Sequence, residues 1–323
     1  MKHALTASRV ACWSRCPRQH HYRYELGARP VGEDAEALRF GSRIHAGLEA
    51  WWSAYQHGDA ERALAAALRA ADCETLADYD AARASAMLRA YDAQWCAWAA
   101  TVHVIAVEAT FATPLRDELG NAAKTWELAG KLDALVELPD GRVAILEHKT
   151  ASGDVGEGSD YRRKLALDGQ VSMYFHGAAS LLGGRTVDLC IYDVLVKPGV
   201  KPALATPPEA RKYTKEGKLY ANQRETDETP EAYAERCAAE VNLVQVEVLR
   251  SGLELSTHMA DLWDTVHAIE ATRRRQSAGA RHTTACFDFH RACDFLEVCE
   301  GRARIDDSTR FRRLPLVHQE LSR

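Results

Sequence analysis

The sequence predicts an α/β fold, a central mixed β-sheet flanked by helices. Three observations lead there. Leu132, Ala134, Val136 and Leu138 alternate with Lys131, Asp133, Leu135 and Glu137, the two-residue period of a strand. Pro139-Asp140-Gly141 then reads as a turn into a second strand opening with Val143-Ala144-Ile145-Leu146. Pro presets φ, Asp bonds its own backbone, and Gly takes positive φ. Helical spacing brackets this hairpin, most clearly over residues 36–55, where Leu38, Ile44, Leu48, Trp51, Trp52 and Tyr55 recur.

The other elements follow in chain order. Thr6 caps a helix carrying Val10 and Trp13 on one face. Residues 60–71 and 76–100 read as two alanine-rich helices, with Trp95 and Trp98 as packing residues. Residues 102–114 and 125–138 are the first two strands, joined through a polar stretch with a Gly120-Asn121 turn. Residues 151–159 are loop and 161–182 a helix. Gly183-Gly184 leads to a last strand over 186–196, with Cys190 in the core. Four prolines before Ala210, then Lys212, Tyr213, Lys215, Lys218 and Tyr220, make residues 197–229 a basic loop or flap. Residues 230–276 read as one long helix, open to a break at Ser251-Gly252. A single domain, 1–323, is expected. Its parts are an N-terminal helical part (1–101), a sheet core (102–196), the flap (197–229) and a C-terminal helix with cysteines (230–323).

With 323 residues, 46% of them apolar, the chain can bury a full core. No apolar run reaches the roughly 18 residues that a membrane span needs. Residues 1–10, with Lys2, His3 and Arg9, lack the apolar core of a signal peptide. The expected setting is cytoplasmic and reducing, where nine cysteines argue for metal ligation over a disulfide framework. A formal net charge of −5 confines nucleic-acid contact to local basic patches. There is no G-x₄-G-K-[ST] run, so ATP-driven unwinding is left to a partner.

Glu147-His148-Lys149 puts charges where an apolar strand would continue. A turn centred on Asp140 places Asp133 across from Glu147, while Glu147 and Lys149, two residues apart, share a face. The three then converge. A two-residue Asp140-Gly141 turn would instead set His148 opposite Asp133 and scatter them. Facing carboxylates repel. A divalent cation removes that repulsion, and hard oxygen ligands suit Mg²⁺ or Mn²⁺. At the other end of the chain, Cys286, Cys293 and Cys299 are spaced C-x₆-C-x₅-C, unlike the close pairs of zinc sites. Thiolates are soft and suit an iron–sulfur cluster.

Asp133-x₁₃-Glu147-x-Lys149 on a hairpin resembles the PD-(D/E)XK nuclease superfamily, its first motif reduced to Gly130-Lys131-Leu132-Asp133. Further motifs are similar to those of its RecB-like and AddB-like iron–sulfur nucleases, including CRISPR-associated adaptation nucleases. They are Cys16-Pro17-Arg18 followed by Tyr22 and Tyr24, Gly41-x₃-His45-x₃-Glu49, Gln170-x₃-Tyr174, and the late cysteines. The resemblance implies a restriction-endonuclease-like core with helical insertions. It implies His45, Asp133, Glu147 and the main-chain carbonyl of His148 as ligands of Mg²⁺ or Mn²⁺. Lys149 would position water or stabilise the transition state, with Gln170 and Tyr174 holding the DNA strand or Lys149. It further implies a [4Fe–4S] cluster on Cys16, Cys286, Cys293 and Cys299, a staple joining the N- and C-terminal regions. Many relatives carry C-x₂-C-x₅-C, so His290 stays open as a rival ligand, as does Cys12 for Cys16.

Arg18 and Arg23, Lys212 and Lys215, and Arg273, Arg274 and Arg275 are the candidate DNA contacts. Around Tyr22 and Tyr24, tyrosines packed on the core beside solvated arginines are the alternative. The activity expected from the resemblance is that of an exonuclease on single-stranded or end-containing DNA. Its setting would be recombination, repair or phage or CRISPR DNA processing in a bacterium or phage, beside a helicase, annealing or recombination protein. Readings of another class are a catalytically silent DNA-binding subunit and an assembly scaffold. The intact Asp-Glu-Lys set argues against both.

Overall fold

A computed structural model describes residues 2–32, 36–288, 291–318 and 321. The chain opens with a short strand, β1 (His3–Leu5), and α1 (Ala7–Arg15), whose N-cap Thr6 accepts a bond from the Arg9 N–H at 3.2 Å. A one-turn helix, α2 (Pro17–His20), runs into a π-helical turn over His21–Glu25 and strand β2 (Ala28–Pro30). Three longer helices follow: α3 (Glu36–Gln56), α4 (Ala63–Ala70) and α5 (Tyr79–Ala99). Strands β3 (His103–Arg116), β4 (Ala122–Glu137) and β5 (Val143–Ala151) form a meander, with Gly141 at φ +88° closing the turn between the last two.

Next come α6 (Asp160–Ala166), α7 (Gly169–Leu181) and β6 (Leu189–Val196). The expected single helix over 161–182 is two, because the Asp168 side chain caps α7 by accepting from the Gln170 N–H at 2.9 Å. The long helix expected over 230–276 is likewise corrected. It is α8 (Pro230–Ala238), strand β7 (Asn242–Val248) and α9 (Gly252–Arg274). Val244, Val246 and Val248 alternate with polar residues and are β-branched, which favours the strand. A capping box then starts α9: Ser251 Oγ accepts from the Glu254 N–H, and Glu254 Oε2 accepts from the Ser251 N–H. The chain ends in a small hairpin, β8 (Phe287–Asp288) with β9 (Arg291–Ala292), then α10 (Leu296–Cys299) and β10 (Phe311–Arg313).

The main sheet is mixed. β4 pairs antiparallel with β3 along one edge. Its other edge is shared by β1, parallel at Trp126–Leu128, and by β5, antiparallel at Ala134–Glu137. β6 adds parallel to β5, and β7 antiparallel to β6. Between the footprints of β1 and β5 lies the stretch of β4 that holds Gly130 and Asp133.

Helices cover both faces. On one, Ile44, Leu48, Trp51 and Trp52 of α3 and Met87, Leu88 and Tyr91 of α5 pack on Ala134, Val136, Ala144 and Leu146. On the other, Val171, Tyr174 and Phe175 of α7 and Leu262, Val266 and Ile269 of α9 pack on Leu135, Val143 and Ile145. Each large apolar side chain buried here contributes roughly 1.5–3 kcal/mol. Strand alternation therefore sends Glu147 and Lys149 of β5 toward α7, and His148 toward α3 and α5.

The two chain ends meet through backbone pairing. β10 runs antiparallel to β2, and the Leu314 N–H donates to the Gly27 carbonyl at 2.9 Å. Arg9 and Arg273 lock the same region. Both guanidiniums bond Glu25, at 2.7 and 2.8 Å, and both lie over the Trp126 ring. Among the described residues, no helix is long and apolar enough to cross a membrane.

Candidate active site

The β4–β5 ladder ends at Ala134↔Leu146, a register that sets Asp133 across from Glu147. Beyond the last pair, the His148 N–H donates to Asp133 Oδ2 at 2.8 Å. The Asp133 carboxylate thus takes the place of a ladder acceptor. His45, on α3, brings Nδ1 to 3.7 Å from the same oxygen.

Gly130 has a steric reason to be glycine. A Cβ there would lie 2.6 Å from the Phe111 ring and 3.3 Å from Tyr174. Phe111 and Tyr174 instead meet edge-on, with centroids 6.0 Å apart.

On the α7 face Glu147, Lys149 and Gln170 close a ring of hydrogen bonds, and Tyr174 is bonded to it through Gln170. Lys149 Nζ donates to Glu147 Oε1 at 2.6 Å and to Gln170 Oε1 at 3.0 Å. Gln170 Nε2 donates to Glu147 Oε1 at 2.8 Å and to Tyr174 Oη at 2.7 Å. The Gln170 amide has both N–H donors and its carbonyl engaged. Asp168, which no sequence motif marks, holds the start of α7 in place and also accepts from Tyr192 Oη at 2.8 Å. Arg250, from the loop before α9, donates to Ser172 Oγ at 2.9 Å and to the Asp168 carbonyl at 3.2 Å.

The two carboxylates are electrostatically unlike. Burial pushes Glu147 up to about 7, and the charge of Asp133 adds to this. Burial also works against the charged form of Asp133, but the closeness and charge of His45 hold it down at about 2. His45 is raised in turn, since Asp133 outweighs its own desolvation. Burial disfavours charged Lys149, yet the adjacent Glu147 holds it up at about 12. Glu147 is 2% exposed, and its Oε2 is buried with no hydrogen-bond partner. A buried, bare carboxylate oxygen is costly. It points to a cationic ligand, and the oxygen-rich donor set fits a hard divalent ion. Among the described residues, no group of three or more His, Cys, Asp or Glu side chains is arranged to hold a metal ion as it stands.

The His148 side chain lies on the opposite face of the sheet, between Trp52 and Tyr91, with Nδ1 3.3 Å from Asp193 Oδ2. Asp193 and Tyr91 carry no sequence motif. Asp193 is the one charge in the apolar run Leu189–Val196, a signal the sequence carries, whereas Tyr91 sits in a mixed stretch of α5 that gives none.

Cys16, Cys286, Cys293 and Cys299 line one small cavity of about 20 Å³, closed by Phe295 and Leu296. The segment after α9 brings them there: the Arg18 N–H donates to the Ala280 carbonyl, and the His282 N–H points at Cys16 Sγ. Burial raises the thiols of Cys293 and Cys299. Cys12 lies nearby without lining the cavity, and His290 falls outside the described residues.

The basic candidates divide. Lys212 and Lys215 are exposed on a loop closed by a Tyr213↔Leu219 bridge, with Tyr213 and Tyr220 also exposed. Arg274 and Arg275 are exposed. Arg273 is engaged internally with Glu25 and Glu270, and Arg18 Nε with the carbonyls of Ala278 and Gly279. Arg23 is half-buried, with Nε lacking a hydrogen-bond partner. Tyr22 and Tyr24 are buried, Tyr22 against Phe295, so the packing alternative holds for both.

No curated protein sequence matches this chain. A crystal structure of SSO0001 is 11% identical over 69% of this chain and 74% of that one, with a TM-score of 0.29, too low to argue for a shared fold. The model of the PD-(D/E)XK nuclease superfamily, whose members are metal-dependent nucleases, matches residues 4–300. With that match extending over the sheet, the hairpin and the residues of the bonded ring, the chain belongs to the PD-(D/E)XK nuclease superfamily.

Proposed function

We propose that this chain is a Mg²⁺- or Mn²⁺-dependent deoxyribonuclease of the RecB-like, AddB-like kind, acting as an exonuclease on single-stranded or end-containing DNA. The observation that carries the reading is the bonded ring of Glu147, Lys149 and Gln170, with Tyr174 attached through Gln170, beside Asp133 and with one bare, buried Glu147 oxygen. Asp133, Glu147, His45 and the His148 carbonyl would hold the ion. When bound, a divalent ion lowers the pKa of water and offsets charge on phosphate oxygens. Lys149 carries a fixed positive charge into that site, where a developing negative charge on a phosphate is stabilised. Gln170 aims the Lys149 ammonium by accepting from it, and Tyr174 holds Gln170. Of the candidate DNA contacts, Lys212, Lys215, Arg274 and Arg275 are exposed and free to neutralise DNA backbone charge.

The convergence of four thiols on one cavity supports a [4Fe–4S] cluster with a structural role, since hydrolysis moves no electrons. Recombination, repair or phage or CRISPR DNA processing is the proposed setting, with a helicase, annealing or recombination protein as partner. The test is cleavage of end-labelled single- and double-stranded DNA by purified protein with Mg²⁺, Mn²⁺ or EDTA. Metal-dependent release of short products, lost in Glu147→Gln and Lys149→Ala by at least ~10²-fold, is expected. Equal turnover by wild type and both variants would refute the assigned site.

A further inference from the structure

Behind the ring, on the other face of the sheet, lies a buried column of polar groups that the hydrolytic reading leaves unused. Trp52 Nε1 donates to Tyr91 Oη at 3.1 Å, and Tyr91 Oη donates to Asp193 Oδ2. That same Asp193 oxygen is 3.3 Å from His148 Nδ1. Asp193 and His148 are directly paired in the β6–β5 register. Asp193 is 0% exposed and His148 3%. The His148 main-chain N–H then donates to Asp133. The column therefore runs from α3 and α5 through the sheet to one of the proposed metal ligands.

Burying a carboxylate costs several kcal/mol unless partners compensate. Here compensation is incomplete: Asp193 Oδ1 has no hydrogen-bond partner, and the 3.3 Å approach of His148 Nδ1 to Oδ2 is a charge contact outside hydrogen-bond geometry. A carboxylate kept at that cost, directly behind the residue between Glu147 and Lys149, calls for a reason beyond packing. We infer that Asp193 is a positioning residue: with Tyr91 it fixes the His148 ring, and so fixes the two peptide units flanking His148. One of those units donates to Asp133, and the other carries the carbonyl proposed as a metal ligand. The inference rests on the metal-dependent reading, and on that reading Asp193 sets the affinity of the site for its ion. Outer partners of this kind commonly change metal affinity 10–100-fold.

The test is Mn²⁺ binding without DNA, read by electron paramagnetic resonance of free Mn²⁺, on wild type, Asp133→Asn, Asp193→Asn and Tyr91→Phe. Folding is followed in parallel by circular dichroism and thermal melting. Binding by wild type that is lost in Asp133→Asn locates the ion, and no wild-type binding would sink the metal reading itself. On a located ion, Asp193→Asn should weaken Kd by about tenfold, and Tyr91→Phe should weaken it in the same direction while the fold is kept. If Asp193→Asn does not fold, Tyr91→Phe decides. A lower melting temperature with an unchanged Kd in the folded variants overturns the proposal, leaving the column as a device that sets strand register.

Discussion

Phe111 and Gly130 interlock across β3 and β4: the edge of the phenyl ring occupies the space where a Cβ of residue 130 would stand, 2.6 Å away. A glycine of α7 admits the same ring, since a Cβ at Gly177 would overlap Phe111. Phe111 thereby sets the distance between the sheet and the helix that carries Gln170 and Tyr174.

Gly130→Ala is therefore expected to destabilise the protein. Overpacking of this size costs roughly 1–3 kcal/mol, read as a fall of several degrees in melting temperature. Tyr174 lies 3.3 Å from the same point, so nuclease activity should fall by more than the lost folded fraction accounts for. Wild-type melting and wild-type turnover together would show that the space is not filled as described.

Ion binding should depend on pH through Glu147. Its carboxyl is raised to about 7, by burial and then by Asp133. Below that value the metal-free site holds a proton that must leave before the oxygen ligates, so binding releases a proton. Log affinity for Mn²⁺ should rise with pH by at least about one per unit, since the raised His45 must also shed its proton to ligate, and level off once both groups are deprotonated. Glu147→Gln should bind weakly and keep only the shallower dependence that His45 contributes. The same titration on both proteins between pH 5.5 and 8.5, bracketing that value, checks it.

His20 should make the fold acid-sensitive. It is buried, accepts from Arg9 Nε at 3.1 Å, and packs between Trp13 and Tyr24. Burial, followed by the charge of Arg9, lowers it to about 3. The unfolded chain binds a proton here near pH 6.5 and the folded chain only near 3. Between those values the unfolded state holds more protons, so stability is full above about 6.5 and falls as pH drops through the window. The slope from this group is roughly 1.4 kcal/mol per pH unit. Urea unfolding of wild type and His20→Gln at pH 7.5, 6 and 5 should show the variant losing less. Parallel curves would mean that His20 is not held neutral.

The four thiols make a prediction independent of cleavage. Anaerobically purified protein should be brown and hold about four irons per chain, as expected of a cubane on four thiolates. Cys16→Ala should lose the colour and melt lower, while Cys73→Ala and Cys96→Ala keep it. The β2–β10 pairing holds the chain ends together by itself, so Cys16→Ala should remain partly folded. Zinc in place of iron would keep a metal staple and sink the iron–sulfur assignment. Iodoacetamide labelling of all four cysteines in native protein would remove both.

The hairpin is legible in the sequence because its determinants are local. Period-two alternation, a Pro-Asp-Gly turn and two charges at a strand end place Glu147 and Lys149 on one face and leave two registers, of which the structure has the one that sets Asp133 across from Glu147. The long α3 is legible for the same reason, through its periodic aromatic and aliphatic residues. Other features were decided only by tertiary structure. Residues 242–248 carry apolar residues at both helical and strand spacing, and the open edge of β6 selects the strand. β1 is three residues long, too short for any periodic signal, and exists because β4 offers it a free edge. Arg273 and Arg275 look alike in sequence, but Arg273 is drawn onto Glu25 and Trp126 while Arg275 faces solvent. The partnership of His148 with Asp193 joins residues 45 apart through a parallel pairing, and its cost and its use arise only once both are buried together. Local pattern settles which residues form a strand and which face they share. Which neighbour each polar group meets is a long-range matter, set when the helices close over the sheet and exclude water.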